Sequence, residues 1–210
     1  MYDLPHHKEH DLNEIIQFMK DHPFVFITGS DASNKPVATQ IPVFIDVRNG
    51  KYFLTGHIMR NTDHHKAFEQ NKNVLAVFTG PHTYVSATWY TKPVGSTWNY
   101  MSVHANGTIR FGDTDELRSI LQRLTLHYEN NNAASATVFD NLPSEYTERM
   151  MKAIVPFEIE INDLQHVFKL SQDRDEKSYD NIVIQLKKQE GDAREIAEIM
   201  EKRKSKVFPV

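Results

Sequence analysis

Apolar residues at Leu12, Ile15, Ile16 and Met19 recur at the three- and four-residue spacing of a helix, with Asp11 placed to cap it and Pro23 to end it. Such a stripe predicts a helix lying on a sheet. The pattern then shortens. FVFITG (Phe24 to Gly29) and VATQIPVFID (Val37 to Asp46) are β-rich runs joined by a polar turn, so they predict a hairpin. Pro42 cannot donate to a ladder, which places its strand at an edge or at a bulge. Asn49-Gly50 predicts a tight turn into YFLTG (Tyr52 to Gly56).

From Thr62 to Asn71 the period is helical again, and NVLAVFTG (Asn73 to Gly80) resumes a strand, with aromatic-rich strands running on to Tyr90. Thr97 to Gly112 reads as a hairpin turning over Asn106-Gly107. Leu117, Ile120, Leu121, Leu124 and Tyr128 mark a helix after Thr114, and a shorter one starts at Ser144. FEIEI (Phe157 to Ile161) alternates like a half-buried strand, and His166 to Gln172 reads as its partner across Asn162-Asp163. Two helical patterns follow, one with Ile182 and Leu186, the other with Ile196, Ile199 and Met200, parted by Gly191. Hairpins, a crossover helix and returning strands make an α+β chain around an antiparallel barrel.

Composition narrows the function. The 210 residues are 40% hydrophobic and 25% charged, enough for a sizeable core. No cysteine is present, so a disulfide framework, a thiolate nucleophile and a cysteine zinc site are excluded. No apolar run approaches the ~18 residues of a membrane span, and Met1 to Asp11 lacks a signal-peptide core, so a cytoplasmic protein is expected. Net charge is −4 and the pI about 6.2, against a surface devoted to nucleic acid. A DNA contact stays open only through Lys202, Arg203, Lys204 and Lys206, which read more simply as a solvated helix end complementing the macrodipole.

Two stretches carry candidate chemistry. Gly80 to Tyr100 holds both tryptophans, Trp89 and Trp98, with Tyr84, Tyr90 and Tyr100, side chains that combine a broad apolar face with a polar tip. Such a mixture suits a ligand pocket or a subunit interface, and equally a barrel corner. TGHIMRNTDHH (Thr55 to His65) passes from a strand into a helix start, where unpaired N–H groups beside Arg60, Asn61 and Thr62 offer a seat for a phosphate. The eleven histidines include no HExxH word, and no metal site is expected. Nor does a catalytic acid, base or nucleophile stand out.

The words GPHTYVSATWY, TWNY and KLSQ (Lys169 to Gln172), with MYDLPHH, His22 to Phe24 and GHIMRN (Gly56 to Asn61), resemble the PaiB-like family of FMN-binding negative transcriptional regulators. The resemblance runs from Met1 to about Leu186. It implies an FMN-binding split barrel with peripheral helices over 1–186 and a C-terminal helical extension over 187–210. It also implies a homodimer carrying flavin at the subunit interface. The phosphate would then sit at Arg60, Asn61 and Thr62, and the ring against Thr39, Gln40, Ile41 and Pro42 beside Thr55, Gly56 and His57. Trp98 and Asn99 would reach the flavin of the other subunit, and Lys169 and Gln172 would supply remaining polar contacts. The implied role is transcriptional regulation, associated in bacilli with sporulation and degradative enzymes. A flavin-dependent oxidoreductase of the pyridoxamine-oxidase-like type is the alternative. This chain departs from the family pattern at Gln40 (His), Thr62-Asp63 (Asn-Pro) and Gly95-Ser96 (Val-Pro), and Asp63 brings a carboxylate toward the phosphate seat.

Overall fold

Helices and strands form broadly where the periodicity places them in a computed structural model that describes residues 1–2 and 4–209. The strands are β1 (Phe24–Ser30), β2 (Pro36–Pro42), β3 (Phe44–Arg48), β4 (Lys51–Met59), β5 (Asn73–Val85), β6 (Thr97–Phe111) and β7 (Ile154–Lys169). The helices are α1 (Leu12–Asp21), α2 (Asp63–Gln70), α3 (Thr114–Tyr128), α4 (Ser144–Ala153), α5 (Glu176–Leu186) and α6 (Asp192–Val207). The sheet order is β2-β1-β5-β6-β7-β4-β3. The chain divides into two compact units, and β5, β6 and β7 give part of their length to each.

One unit comprises Pro23–Val77 and Ala105–Leu164. Its β1–β2 hairpin runs in register from Phe24 opposite Pro42 to Ser30 opposite Pro36. Asn49 and Gly50, both at positive φ, turn β3 into β4. The outermost strands β2 and β3 stand at opposite ends of the strand order yet are separated in sequence by Val43 alone. Such a connection requires the sheet to curl until its ends approach, which makes the expected antiparallel split barrel. Val25, Ile27, Leu54, Ile58, Ala76, Ile109, Phe157 and Ile159 fill the interior. Burying each of the larger side chains contributes roughly 2 kcal/mol. A Cβ on Gly56 would stand 2.9 Å from the Phe157 ring and 3.1 Å from the Pro42 carbonyl oxygen, so only a glycine lets β4 pass there. Helix α3 starts with a capping box between Asp113 and Glu116, and packs Leu117 with Phe139, Met151 and Ile154.

The other unit comprises Met1–His22, Phe78–His104 and Gln165–Val210. Helix α1, capped by Asp11, buries Ile15, Ile16 and Met19 of the predicted stripe together with Phe18, whereas Leu12 at its first position is exposed. Tyr179 of α5 is fully buried, and its hydroxyl donates to the Met200 carbonyl of α6 at 2.8 Å.

Three local readings need correction. Asn106-Gly107 makes no hairpin: β6 runs straight through it. Gly107 is there because a Cβ would stand 2.5 Å from the Glu160 carbonyl oxygen of β7. Asn162-Asp163 likewise lies inside a continuous β7, where Asn162 donates to Thr108 and Asn106 to Asp163 across neighbouring strands. Beyond Val85 the aromatic segment leaves the sheet for a short 3-10 turn, Ala87–Trp89, pinned by Ser86.

Candidate functional site

The turn from β4 into α2 is built from its own polar groups. The Arg60 N–H donates to the Ala153 carbonyl at 2.8 Å, which ties the end of β4 to the last residue of α4. Asn61 then takes the left-handed conformation (φ 62°), and its N–H donates to Nδ1 of His65 at 3.3 Å. Thr62 is the N-cap: its hydroxyl accepts from the His65 N–H at 3.3 Å, and its carbonyl from the Lys66 N–H at 3.2 Å. The exposed carboxylate of Asp63 accepts from the His64 N–H at 2.7 Å. Thus three of the N–H groups expected to face a ligand already have partners, one of them a carboxylate. What remains is the exposed guanidinium of Arg60, which has no ion pair among the described residues, with the exposed Asn61.

On β4, Leu54, Thr55, Gly56 and Ile58 are buried, while His57 is half-buried. The Thr55 hydroxyl donates to Asp46 at 3.0 Å. Burial lowers the His57 pKa, so its ring stays neutral around neutral pH. Strand β2 pairs with β1 on one side only, so the other edge of Thr39, Gln40, Ile41 and Pro42 has no strand partner among the described residues. Since the Pro42 carbonyl comes close to Gly56, the structure brings this edge and the Thr55–His57 stretch together.

The remaining candidates belong to the other unit, where two of the four are committed to packing. Asn99 is fully buried, accepting from the Ser171 hydroxyl at 3.0 Å and donating to the Met200 sulfur at 3.5 Å. Gln172 accepts from the Leu170 N–H at 2.7 Å and from the His7 ring at 3.2 Å, and donates back to the Phe168 carbonyl. These two shape the KLSQ turn. Trp98, 48% exposed, donates only to the His82 ring at 3.3 Å and packs edge-on against Tyr84. Lys169 donates to the Thr97 hydroxyl at 2.6 Å, and burial lowers its pKa.

A second polar centre escaped the sequence. Asp46, Arg48, Arg110, Glu116, Arg123 and Glu158 border a cavity of about 360 Å³ floored by Thr55, Pro156 and Phe157. Arg48 and Arg110 both hold Glu158, Arg110 also holds Glu116, and Arg123 holds Asp46 at 2.7 Å. Their positions are scattered over the sequence, and no spacing rule links them. Three of the four cations in the C-terminal basic run are paired: Arg203 with Glu9 and Glu14, Lys204 with Glu176 and Asp180, and Lys206 with Glu14. A phosphate contact by these three would have to displace carboxylates.

A flavin mononucleotide fits the barrel unit on three counts. The β2 edge offers backbone groups, Gly56 lets that edge approach β4, and Arg60 offers an unpaired positive charge. Asp63 opposes the fit. The chain matches the family described as "Putative FMN-binding domain" over residues 1–163. It is 33% identical over 207 residues to the "Protease synthase and sporulation protein PAI 2" of Bacillus subtilis (strain 168), covering 98% of this chain and 99% of that protein. Among solved structures, a conserved hypothetical protein from Mycobacterium tuberculosis superposes with a TM-score of 0.56 at 11% identity, over 80% of this chain and 90% of the other. A FAD and heme binding protein from Mycobacterium smegmatis gives 0.54 at 15%, over 77% and 72%. Both share the fold.

Proposed function

We propose, taking as premise that the chain belongs to the PaiB-like family of FMN-binding-domain proteins, that it binds FMN and acts as a cytoplasmic regulator of transcription. The observation that carries the flavin reading is the unpaired guanidinium of Arg60 at a strand-to-helix turn, beside the open edge of β2. Arg60, Asn61 and Thr62 take the phosphate, while Thr39 to Pro42 and Thr55 to His57 line the ring. A bound flavin brings redox chemistry that no side chain here supplies. The protein acts as a homodimer in which the second copy adds the exposed Trp98 and the half-buried Lys169. Asn99 and Gln172 serve as their supports.

The regulatory part of the reading rests on the Bacillus subtilis relative, whose name refers to protease synthesis and sporulation. It does not route DNA through the C-terminal helix, because Arg203, Lys204 and Lys206 are already paired. The test is the visible spectrum of purified protein mixed with FMN and passed through gel filtration. Flavin bands eluting with protein at twice the chain mass support cofactor and assembly together; a colourless monomer peak rejects both.

A further inference from the structure

We propose that His65 is the positioning residue of the Arg60–Thr62 turn and that protonating it loosens the turn's grip on a phosphorylated flavin. This rests on the reading that the turn seats the phosphate.

The two ring nitrogens of His65 have different surroundings. Nδ1 accepts the Asn61 N–H, so the single ring proton of neutral His65 sits on Nε2. The residue is 5% exposed, and Nε2 is buried without a hydrogen-bond partner among the described residues; a carboxylate oxygen of Glu69 lies 3.8 Å away. A polar atom left so is unfavourable, by an amount comparable to a lost hydrogen bond. A leucine or phenylalanine here would avoid that cost, because the ring otherwise packs edge-on against Phe111 at 4.8 Å. What the imidazole adds is the acceptor for Asn61, whose left-handed backbone aims the residues on either side of it.

Protonation would put a second hydrogen on Nδ1. It would then face the Asn61 N–H donor to donor, and one of the bonds that hold the turn would become a repulsion, leaving the Thr62 hydroxyl's bond to the Met59 carbonyl in place. The charged groups around the ring are Glu69, His64 and Lys66 on its own helix and Arg60 on the turn. Helix α2 packs on β1 and β2, which carry no titratable side chain, and the Phe111 end of β6 adds an apolar ring. Burial, opposed by Glu69 and aided by the three cations, keeps the imidazole neutral to lower pH than an exposed one.

The test compares FMN with riboflavin, which lacks the phosphate, on full-length wild type, His65→Gln and His65→Leu, at about pH 8 and about pH 5.5. Glutamine offers an acceptor and does not titrate; leucine offers none. In wild type, acid should weaken FMN by about threefold more than riboflavin at about pH 5.5, where a ring held below 6.5 is only partly protonated, with the tenfold equivalent of one hydrogen bond as the ceiling. His65→Gln should keep the affinity at high pH and lose most of the additional acid sensitivity, and His65→Leu should bind FMN weakly at both pH values with riboflavin unchanged. The phosphate's own titration is common to all three proteins and cancels. The Asn61 amide resonance of wild type should also titrate together with the His65 ring. Wild-type FMN binding whose acid sensitivity is unchanged in His65→Gln, or an Asn61 amide indifferent to the ring, overturns the inference. Equal affinity for FMN and riboflavin at high pH overturns the phosphate seat itself, and the inference with it.

Discussion

The guanidinium of Arg203, near the end of α6, holds the buried carboxylate of Glu9, near the start of the chain. Burial alone would raise the Glu9 pKa, but the Asp11 N–H and Arg203 outweigh it and bring the carboxyl down to about 2. Because Glu9 is only 8% exposed, removing its partner strands a charge away from water. Arg203→Met is therefore expected to destabilise the protein by about 3 kcal/mol. Urea unfolding at neutral pH measures it, and a loss within error of zero would show the pair to be superficial.

Asp63 competes for the same helix start that a phosphate would use, since its carboxylate accepts the His64 N–H. Neutralising it should favour an anion by up to roughly 1 kcal/mol, or about fivefold in affinity. Asp63→Asn is predicted to bind FMN more tightly and riboflavin unchanged, by fluorescence titration of the flavin. Equal gains for both ligands would place Asp63 away from the phosphate.

Acid should act on this protein earlier than carboxylates alone would allow. His7, His57, His65, His104 and His166 all have pKa values held below the ordinary 6.5, in each case chiefly by burial. Below 6.5 the unfolded chain binds protons that the folded chain does not, so stability present above that pH falls as pH drops from 6.5 toward the depressed values. The carboxylate of Glu9, ordinarily 4.5 and here about 2, adds its loss only below about pH 4.5. Urea midpoints measured between about pH 8 and pH 5 should decline below about pH 6.5. A flat profile down to about pH 5 would contradict the burial of these rings.

Gly107 is predicted to tolerate no side chain, because the Glu160 carbonyl occupies the place of its Cβ. Gly107→Ala should cost about 2 kcal/mol, read as a lowered thermal midpoint. Gly50, with open space around its Cβ position, should instead respond through backbone strain at its positive φ, at about 1 kcal/mol for alanine.

That contrast explains what the sequence could convey. Asn-Gly at 49–50 and Asn-Gly at 106–107 are the same word, yet one is a turn and the other a crossing point of long strands, because only the neighbouring chain decides what a glycine is for. Periodic stripes such as Ile15, Ile16 and Met19 were legible because they report a local helix facing a core. Arg60 and Thr62 were legible through local order, a strand followed by a cap. Arg48, Arg110 and Arg123 were not, since their shared cavity is assembled by β3, β6 and α3 from distant segments. That Gln172 and Asn99 brace the KLSQ turn was not legible, because a polar side chain that supports a turn and one that meets a cofactor are identical in sequence.

The most direct test of the account is an FMN titration of wild type against Arg60→Ala, followed by flavin fluorescence, with riboflavin as the control. The account predicts that Arg60→Ala weakens FMN by about tenfold or more, the equivalent of one charge-assisted hydrogen bond, and leaves riboflavin unchanged. Equal FMN affinity in the two proteins would contradict it.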